Sequence, residues 1–115
     1  MSDEILDEAK KHLSDFDFIV DLFDLQFIWA NQNVSDIIGF SKDEIIKKHV
    51  LDLLVINENE YRRSLVERMT KGSGNVDLIM KRKDNTHVSL SIQFCTMSFN
   101  GGEYLIDKIT SSKQV

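Results

Sequence analysis

The sequence predicts an α+β domain in which one five-stranded antiparallel sheet carries short helices on a single face, preceded by an amphipathic N-terminal helix. Three segments show the two-residue alternation of half-buried strands, two more are predicted as strands from their composition or from the turn before them, and most segments with helical spacing fall between the second and third strands. Strands grouped apart from helices in this way favour an antiparallel sheet. A chain of 115 residues with 42% hydrophobic residues has room for one compact domain.

The N-terminal segment 3–13 has the spacing of an amphipathic helix. Acidic side chains open it and basic ones close it, which suits the helix dipole. Its apolar stripe comprises Ile5, Leu6, Ala9 and Leu13. Because a helix of this length is not stable alone, we expect it to pack against the domain or a partner helix.

Two strands follow and form a predicted hairpin. Residues 16–23 alternate between two faces, and residues 27–30 are aromatic or branched, apart from a terminal alanine. Residues 24–26 supply the short turn between them.

Short helices are predicted after the hairpin from their capping residues. Asn31 begins the first, and Gly39 ends it in the manner of a glycine C-cap. Ser41 and Glu44 have the spacing of a capping box, which begins the second. Residues 49–56 are predicted to form one helical turn and a connector.

The longest helix is predicted over residues 58–71, and glycines at 72 and 74 end it. Its apolar stripe is assigned to Tyr61, Leu65 and Met69. Its polar face is assigned to Arg62, Arg63, Glu67 and Arg68.

Three strands complete the sheet. Alternation is clear over residues 76–80 and 88–95, and a third strand is predicted over 104–110. Turn-forming residues at 83–86 and 100–102 connect them.

Three motifs in this order resemble the PAS domain family over about residues 16–110. Residues 27–31, followed by Gly39-Phe-Ser-Lys-Asp-Glu-Ile-Ile, resemble the family's strand ending in Asn and its G-Y-S-x-E-E-I-x-G segment. Residues 81–85 are similar to the R-K-D-G turn, and residues 108–110 stand where many members carry D-I-T, a signal-exit motif.

The chain departs from the family pattern at four positions. Phe40 replaces Tyr, Lys47 replaces a second Gly, and Asn85 replaces the turn Gly, although Asn also tolerates a positive φ. Lys108 replaces the Asp of D-I-T, and Asp107 lies one residue earlier, on the other face of the strand.

The resemblance implies a sensory or interaction module. Such a module binds a small molecule between sheet and helices, or a partner on the outer sheet face, and relays the change to a kinase, cyclase or transcription regulator. We therefore divide the chain into an N-terminal capping or dimerisation helix at 1–14, the PAS domain at 15–110, and a C-terminal tail at 111–115. The signal-exit candidates are Asp107, Lys108 and Thr110.

The residues that chemistry needs are sparse, so no enzyme activity is predicted and no catalytic residue is assigned. The three histidines, His12, His49 and His87, lack metal-ligand spacing, and the single Cys95 has no cysteine nearby. No phosphate-binding G-x-x-x-x-G-K segment occurs. A small enzyme of unrelated α+β fold is the rival interpretation, and a polar pocket with titratable groups would support it.

Flavin and haem are both disfavoured by what the resemblance implies. Photosensory members carry N-C-R-F-L-Q where this chain has residues 49–54, so Val50 stands in place of the reactive cysteine. Ile106 aligns with the flavin-contacting glutamine of the last strand. Haem-binding members generally take an axial histidine from the long helix or its neighbourhood, and residues 58–71 contain none. His49 is the only candidate nearby, and beside Lys47 and Lys48 it is expected to be a surface residue rather than a ligand. An unidentified small molecule remains as a candidate ligand.

Apolar side chains, with one tyrosine, form the predicted interior of the domain. They are candidates to line a ligand pocket: Val34, Ile38, Leu54, Tyr61, Leu65, Met69, Met80, Leu90 and Ile92. The alternative, which we favour, is that they simply fill the core, because a domain of this size has little apolar surface to spare. Strand alternation places Ser89, Ser91 and Gln93 on the outer face.

The outer face of the sheet is the second candidate functional surface. Its candidate residues are Ile5, Leu6, Ala9, Leu13, Phe23, Trp29, Cys95 and Phe99. An exposed apolar face would be a large patch on a monomer, so we expect a homodimer, and a helix folded over its own sheet is the alternative. A ligand-free homodimerisation module is the corresponding alternative function.

Charge and composition bound the partners. The formal net charge is −5, with −8 over residues 1–58 and +3 over residues 59–115, so nucleic-acid binding is not expected. No apolar run of about 18 residues and no signal-like start occurs, and one cysteine suits a reducing compartment. We therefore expect a cytoplasmic protein without membrane insertion. The resemblance to PAS domains further implies a signalling protein, such as a component of a two-component system, with its output module outside this segment.

Overall fold

The structure is a computed structural model that describes residues 3–115. Helices and strands occur in the predicted order. They are α1 (Asp3–His12), β1 (Phe18–Asp21), β2 (Phe27–Ala30), α2 (Gln32–Ile38), α3 (Lys42–Ile45), α4 (Val50–Leu53), α5 (Glu58–Lys71), β3 (Ser73–Lys81), β4 (His87–Phe99) and β5 (Gly102–Gln114).

The five strands form one antiparallel sheet in the order β2-β1-β5-β4-β3, which confirms the predicted fold class. Helices α2 to α5 pack on one face, and their apolar side chains join those of the strands in a single large core, here called the inner cluster. Helix α1 packs on the opposite face, where a smaller apolar group forms the outer cluster. The sheet therefore separates two interiors.

Capping explains the short helices, as the sequence predicted. The Asn31 side chain accepts a hydrogen bond from the Val34 amide, and Gly39 ends α2 with a φ of 83°. Ser41 and Glu44 form the capping box that begins α3. At α4 the cap is His49, whose Nδ1 accepts from the Leu51 amide.

Strand β1 is shorter than predicted and ends at Asp21. The Asp21 carboxylate accepts a hydrogen bond from the Phe23 amide at 2.8 Å, which turns the backbone out of the sheet. Phe23 is consequently 95% exposed in the turn, and its assignment to the outer sheet face was wrong.

Strand β5 is longer than predicted, which moves the proposed boundary between domain and tail. Residues 111–114 continue the strand and pair with β4, with Gln114 opposite Val88. These residues are polar and lack apolar alternation, so only the backbone pairing reveals them as strand. At the other end, residues 1 and 2 of the proposed N-terminal unit lie outside the described residues.

Candidate functional site

The inner face of α5 differs from the prediction at one position. Tyr61, Leu65 and Arg68 are its buried residues, while Met69 is 50% exposed. At about 100° per residue, a seven-residue step returns to within about 20° of the starting direction, whereas an eight-residue step departs by about 80°. Arg68 therefore faces inward, where the sequence predicted Met69. Met69 lies on the exposed side of α5, so its prediction as a residue of an internal pocket was wrong.

Asp107 on β5 faces the same interior. It pairs with Phe18 on one side and with Phe94 on the other, and both of these residues belong to the inner cluster. The preceding residue, Ile106, lies in the outer cluster. The last strand thus directs the carboxylic acid of Asp107 toward the inner cluster. Ile106, which aligns with the flavin-contacting glutamine of photosensory members, faces the outer cluster instead.

Arg68 and Asp107 are buried with polar atoms that have no partner. Their exposed fractions are 3% and 1%. Among residues 3–115, neither Arg68 Nη2 nor either oxygen of the Asp107 carboxyl has a hydrogen-bond partner. Arg68 Nε donates only a long bond to the Ser64 carbonyl, at 3.4 Å, and no Arg68 nitrogen lies within the 4.0 Å of an Asp107 oxygen that an ion pair requires.

The three inward polar groups affect one another. Burial raises the pKa of Asp107 to about 7, and the Arg68 charge opposes this rise. Burial also raises the pKa of Tyr61 to about 12, with Arg68 opposing and Asp107 reinforcing the shift. The Arg68 guanidinium carbon lies 5.4 Å from the centre of the Tyr61 ring. Tyr61 is therefore neutral at pH 7, and the Asp107 carboxyl is harder to ionise than an exposed one.

These three side chains form the candidate functional site. A buried polar atom without a partner costs about 1–3 kcal/mol, and more when it is charged. Such atoms are rare in folded proteins and concentrate at sites of function. Here a guanidinium donor beside a tyrosine ring on α5 and a two-oxygen acceptor on β5 face the same interior. We refer to Tyr61, Arg68 and Asp107 as the polar triad.

The other predicted pocket residues belong, with Tyr61, to the inner cluster. They are Val34, Ile38, Leu54, Leu65, Met80, Leu90 and Ile92, all buried. This packing agrees with the interpretation that they fill the core, and their contact with a ligand stays a prediction. Sequence reasoning missed Arg68, and it treated Asp107 only as part of a signal exit.

The predicted outer-face residues are brought together by α1. Ile5 and Ala9 are buried, and Leu6, Leu13, Trp29 and Phe99 pack against them. Helix α1 thus covers the sheet of its own chain, as the alternative interpretation held. Phe16, Ile19, Met97 and Ile106 complete this cluster and were not among the candidates. Cys95 is half-buried, and burial raises the pKa of its thiol.

The two remaining signal-exit candidates lie further along β5. Lys108 is half-buried, and the exposed Thr110 donates a hydrogen bond to the Ser91 carbonyl at 3.0 Å. Within residues 3–115, no group of three or more His, Cys, Asp or Glu side chains is placed to hold a metal ion. None of the helices described is both long and apolar enough to cross a membrane.

Comparison with known proteins decides the family. The PAS domain family model matches residues 16–107, most of the chain. The chain belongs to the PAS domain family. Members are sensory domains typical of signal-transduction proteins. None of the curated proteins matches this PAS domain.

Solved PAS structures share the fold at low sequence identity. The PAS domain of a two-component sensor histidine kinase superposes with a TM-score of 0.72 at 9% identity, covering 100% of each chain. A PAS domain from Desulfitobacterium hafniense gives 0.69 at 18% identity, covering 86% of this chain and 92% of that one. The LOV protein of Rhodobacter sphaeroides gives 0.69 at 15% identity, covering 100% of this chain and 69% of that one.

Proposed function

We propose that this PAS domain is a non-enzymatic sensor that binds a small ligand at the polar triad and relays the event to an output module. The observation that carries the proposal is the pair of buried, unpartnered groups on Arg68 and Asp107. A ligand that supplied their missing hydrogen bonds would remove the cost of burying them unpaired. The free energy gained would favour the bound state of the domain.

The relay runs through β5. Asp107 contacts the interior, and Ile106, its neighbour on the same strand, packs in the outer cluster with α1 residues Ile5 and Ala9. A shift of β5 on ligand binding therefore acts on α1 and on the end of the strand near Gln114. Output through a kinase, cyclase or transcription regulator attached to either end is consistent with this path.

We propose no flavin or haem for this site, and no catalytic role. Val50 lacks the thiol of the photosensory members, and its side chain is buried in the inner cluster. His49 is committed to capping α4. An absorption spectrum of the purified protein tests this directly: a spectrum without bands above 300 nm is expected, and a flavin or Soret band would overturn it.

The central experiment is native mass spectrometry of the purified domain. Retention of a small-molecule mass in addition to the chain supports sensing, and its loss in an Arg68→Met/Asp107→Leu variant locates it at the triad. A bare chain from several expression hosts, with no change in hydrogen exchange on addition of metabolite mixtures, would contradict the ligand-binding proposal.

A homodimerisation module is the second candidate, and a feature of α1 favours it. The helix buries Ile5 and Ala9 but leaves Leu6 only partly covered. Beside it lies a groove of about 280 Å³ lined by Leu6, Lys10, Ser14, Asp15, Phe16 and Trp29. Two copies packed through this groove, or exchanging α1, would cover these apolar atoms.

Gel filtration tests the dimer. Replacing both Leu6 and Leu13 with Glu is expected to increase the elution volume of a dimer to that of a monomer. Lys11→Gln also makes α1 more negative, but at an exposed position outside the apolar stripe, so it controls for the change of charge. An elution volume that all three proteins share would rule out this mechanism. We further propose a cytoplasmic location and no nucleic-acid partner, on the composition and acidic charge of the chain.

A further inference from the structure

The geometry of the polar triad points to the chemical class of the ligand: we propose a small neutral molecule with a carboxamide-type group, in which a carbonyl oxygen stands beside an N–H. The carbonyl accepts a hydrogen bond from Arg68, and the N–H donates one to Asp107. This inference rests on the proposed function, because it names what the sensor binds. It adds a requirement that a general apolar pocket would not impose.

The missing hydrogen bonds define this class. Arg68 Nη2 has only donors to offer, and the ionised Asp107 carboxyl has only acceptors. A ligand that completes both must present an acceptor and a donor together. Primary amides, ureas and lactams carry the two on one planar group, whereas ketones and ethers lack the donor.

Charge separates an amide from the ionic alternatives. With Asp107 ionised, Arg68 and Asp107 together have no net charge, so a neutral ligand leaves the interior balanced. A carboxylate suits Arg68 but meets a second carboxyl at Asp107, and an ammonium group meets the Arg68 cation. Each ion would also lose its hydration on entering this buried site, a cost that an amide avoids.

Distance supports a bridging group. Arg68 lies beside the Tyr61 ring, and Asp107 faces the same interior opposite Phe18 and Phe94, but no Arg68 nitrogen lies within ion-pair distance of an Asp107 oxygen. Two hydrogen bonds of about 2.9 Å joined by an amide group span a gap wider than a direct pair. The Tyr61 ring beside the guanidinium offers a flat surface for a planar group.

The surroundings limit the rest of the ligand to a short apolar substituent. Leu65 and Met80 lie in the same inner cluster and are fully or nearly buried. Met80 is unbranched and changes shape more readily than a branched side chain, so it is the side chain best able to yield to a substituent.

Three isosteric probes test the class on the intact domain: isobutyramide, isobutyrate and 3-methylbutan-2-one. Binding is followed at pH 8 by amide chemical shifts in ¹⁵N spectra. We expect isobutyramide to bind at least tenfold more tightly than the ketone, which lacks the donor, and than isobutyrate, which is charged. Equal affinities of amide and ketone, or tighter binding of isobutyrate, would overturn the ligand class.

Two variants distinguish a loss of ligand binding from a loss of folding. Arg68→Met/Asp107→Leu removes both charges with side chains of similar size, and it is expected to remain folded and to lose at least tenfold in isobutyramide affinity. Glu67→Gln, on the exposed side of α5, is expected to bind as the wild type does. Undiminished binding by the double variant would overturn the site.

Different results would contradict the ligand class and the sensor function. If none of the probes binds, the carboxamide class is wrong. If the wild-type protein then still retains a small molecule in native mass spectra that the double variant lacks, the sensor function stands with a ligand of other chemistry.

Discussion

Two buried carboxylates in this domain have opposite surroundings. Asp17, just before β1, is 5% exposed, and its oxygens accept hydrogen bonds from the Asn31 and Asn33 side chains at 2.9 and 3.1 Å and from the Ile109 amide at 2.6 Å. Asp107 on β5 is 1% exposed and accepts none among the described residues. The two are adjacent, since the Asp17 amide donates to the Asp107 carbonyl at 2.7 Å.

The difference distinguishes a structural carboxylate from one available for binding. Asp17 joins the N-cap of α2 to β5, and every contact it makes is internal. Asp107 faces the inner cluster, and neither oxygen of its carboxyl accepts a hydrogen bond from the described residues. Burial alone therefore does not mark a candidate site, whereas a buried carboxyl without hydrogen bonds calls for a partner such as a ligand, an ion or a water molecule.

The largest effect is expected from replacing both buried charged side chains. Arg68→Met/Asp107→Leu removes two groups that are buried with unpartnered polar atoms, so the free energy of unfolding at pH 8 should rise by about 1–4 kcal/mol, measured by urea denaturation. Asp107→Leu alone should gain less, because it leaves the Arg68 cation without a nearby negative charge. A double variant less stable than the wild type would show that these two side chains stabilise the fold.

The next effect is a pH dependence of stability that comes from Asp107. The pKa of its carboxyl is about 7 in the folded state, whereas the ordinary value is 3.8. Between these values the folded state holds the extra proton, so the free energy of unfolding should fall as pH rises, by about 1.4 kcal/mol per pH unit. Above pH 7 this contribution becomes constant.

Thermal unfolding between pH 5 and pH 7 measures this slope, and Asp107→Asn is the matched control. The Asn variant should show a flatter profile over the same range. Glu44 acts at lower pH and in the opposite direction: its pKa is lowered to about 2 by the Ser41 amide and Lys83, so its contribution is lost only below about pH 4.5. A wild-type profile with the same slope as that of the Asn variant between pH 5 and pH 7 would contradict the raised pKa of Asp107.

A smaller and purely structural effect is expected at Asp17. Asp17→Asn turns an amide NH₂ toward the Ile109 N–H, which loses its acceptor, so stability should fall by about 1–3 kcal/mol in urea denaturation. Isobutyramide affinity should stay within twofold of the wild type. A variant that lost stability and ligand affinity together would show that the two carboxylates are not independent.

Sequence reasoning predicted the parts of the fold that local chemistry controls. Helices α2 and α3 begin at the predicted caps, Asn31 and Ser41, and α2 ends at Gly39 as predicted. Helix α5 has the predicted ends. The candidate site was less predictable because its residues contradict their usual location. Arginine is rarely buried, so residue type led Arg68 to the polar face, although the helical angle favoured it over Met69.

Asp107 required information that no local pattern contains. Its inward direction follows from its register opposite Phe18 and Phe94, which belong to strands far away in the sequence. The alternation of residues 104–110 alone does not say which set faces the helices. Residues 111–114 were missed for a related reason, because their pairing with β4 is made by the backbone and leaves no apolar signature.

The most direct test of the account is the titration of the Asp107 side-chain carboxyl by ¹³C NMR, without and with saturating isobutyramide. Without the amide the midpoint should lie near pH 7. With it the midpoint should fall, because an N–H donated to the carboxylate favours its ionised form. A midpoint near 4 in the free domain, or one that saturating isobutyramide leaves unchanged, would contradict the claim that Asp107 is an unpartnered group awaiting a ligand.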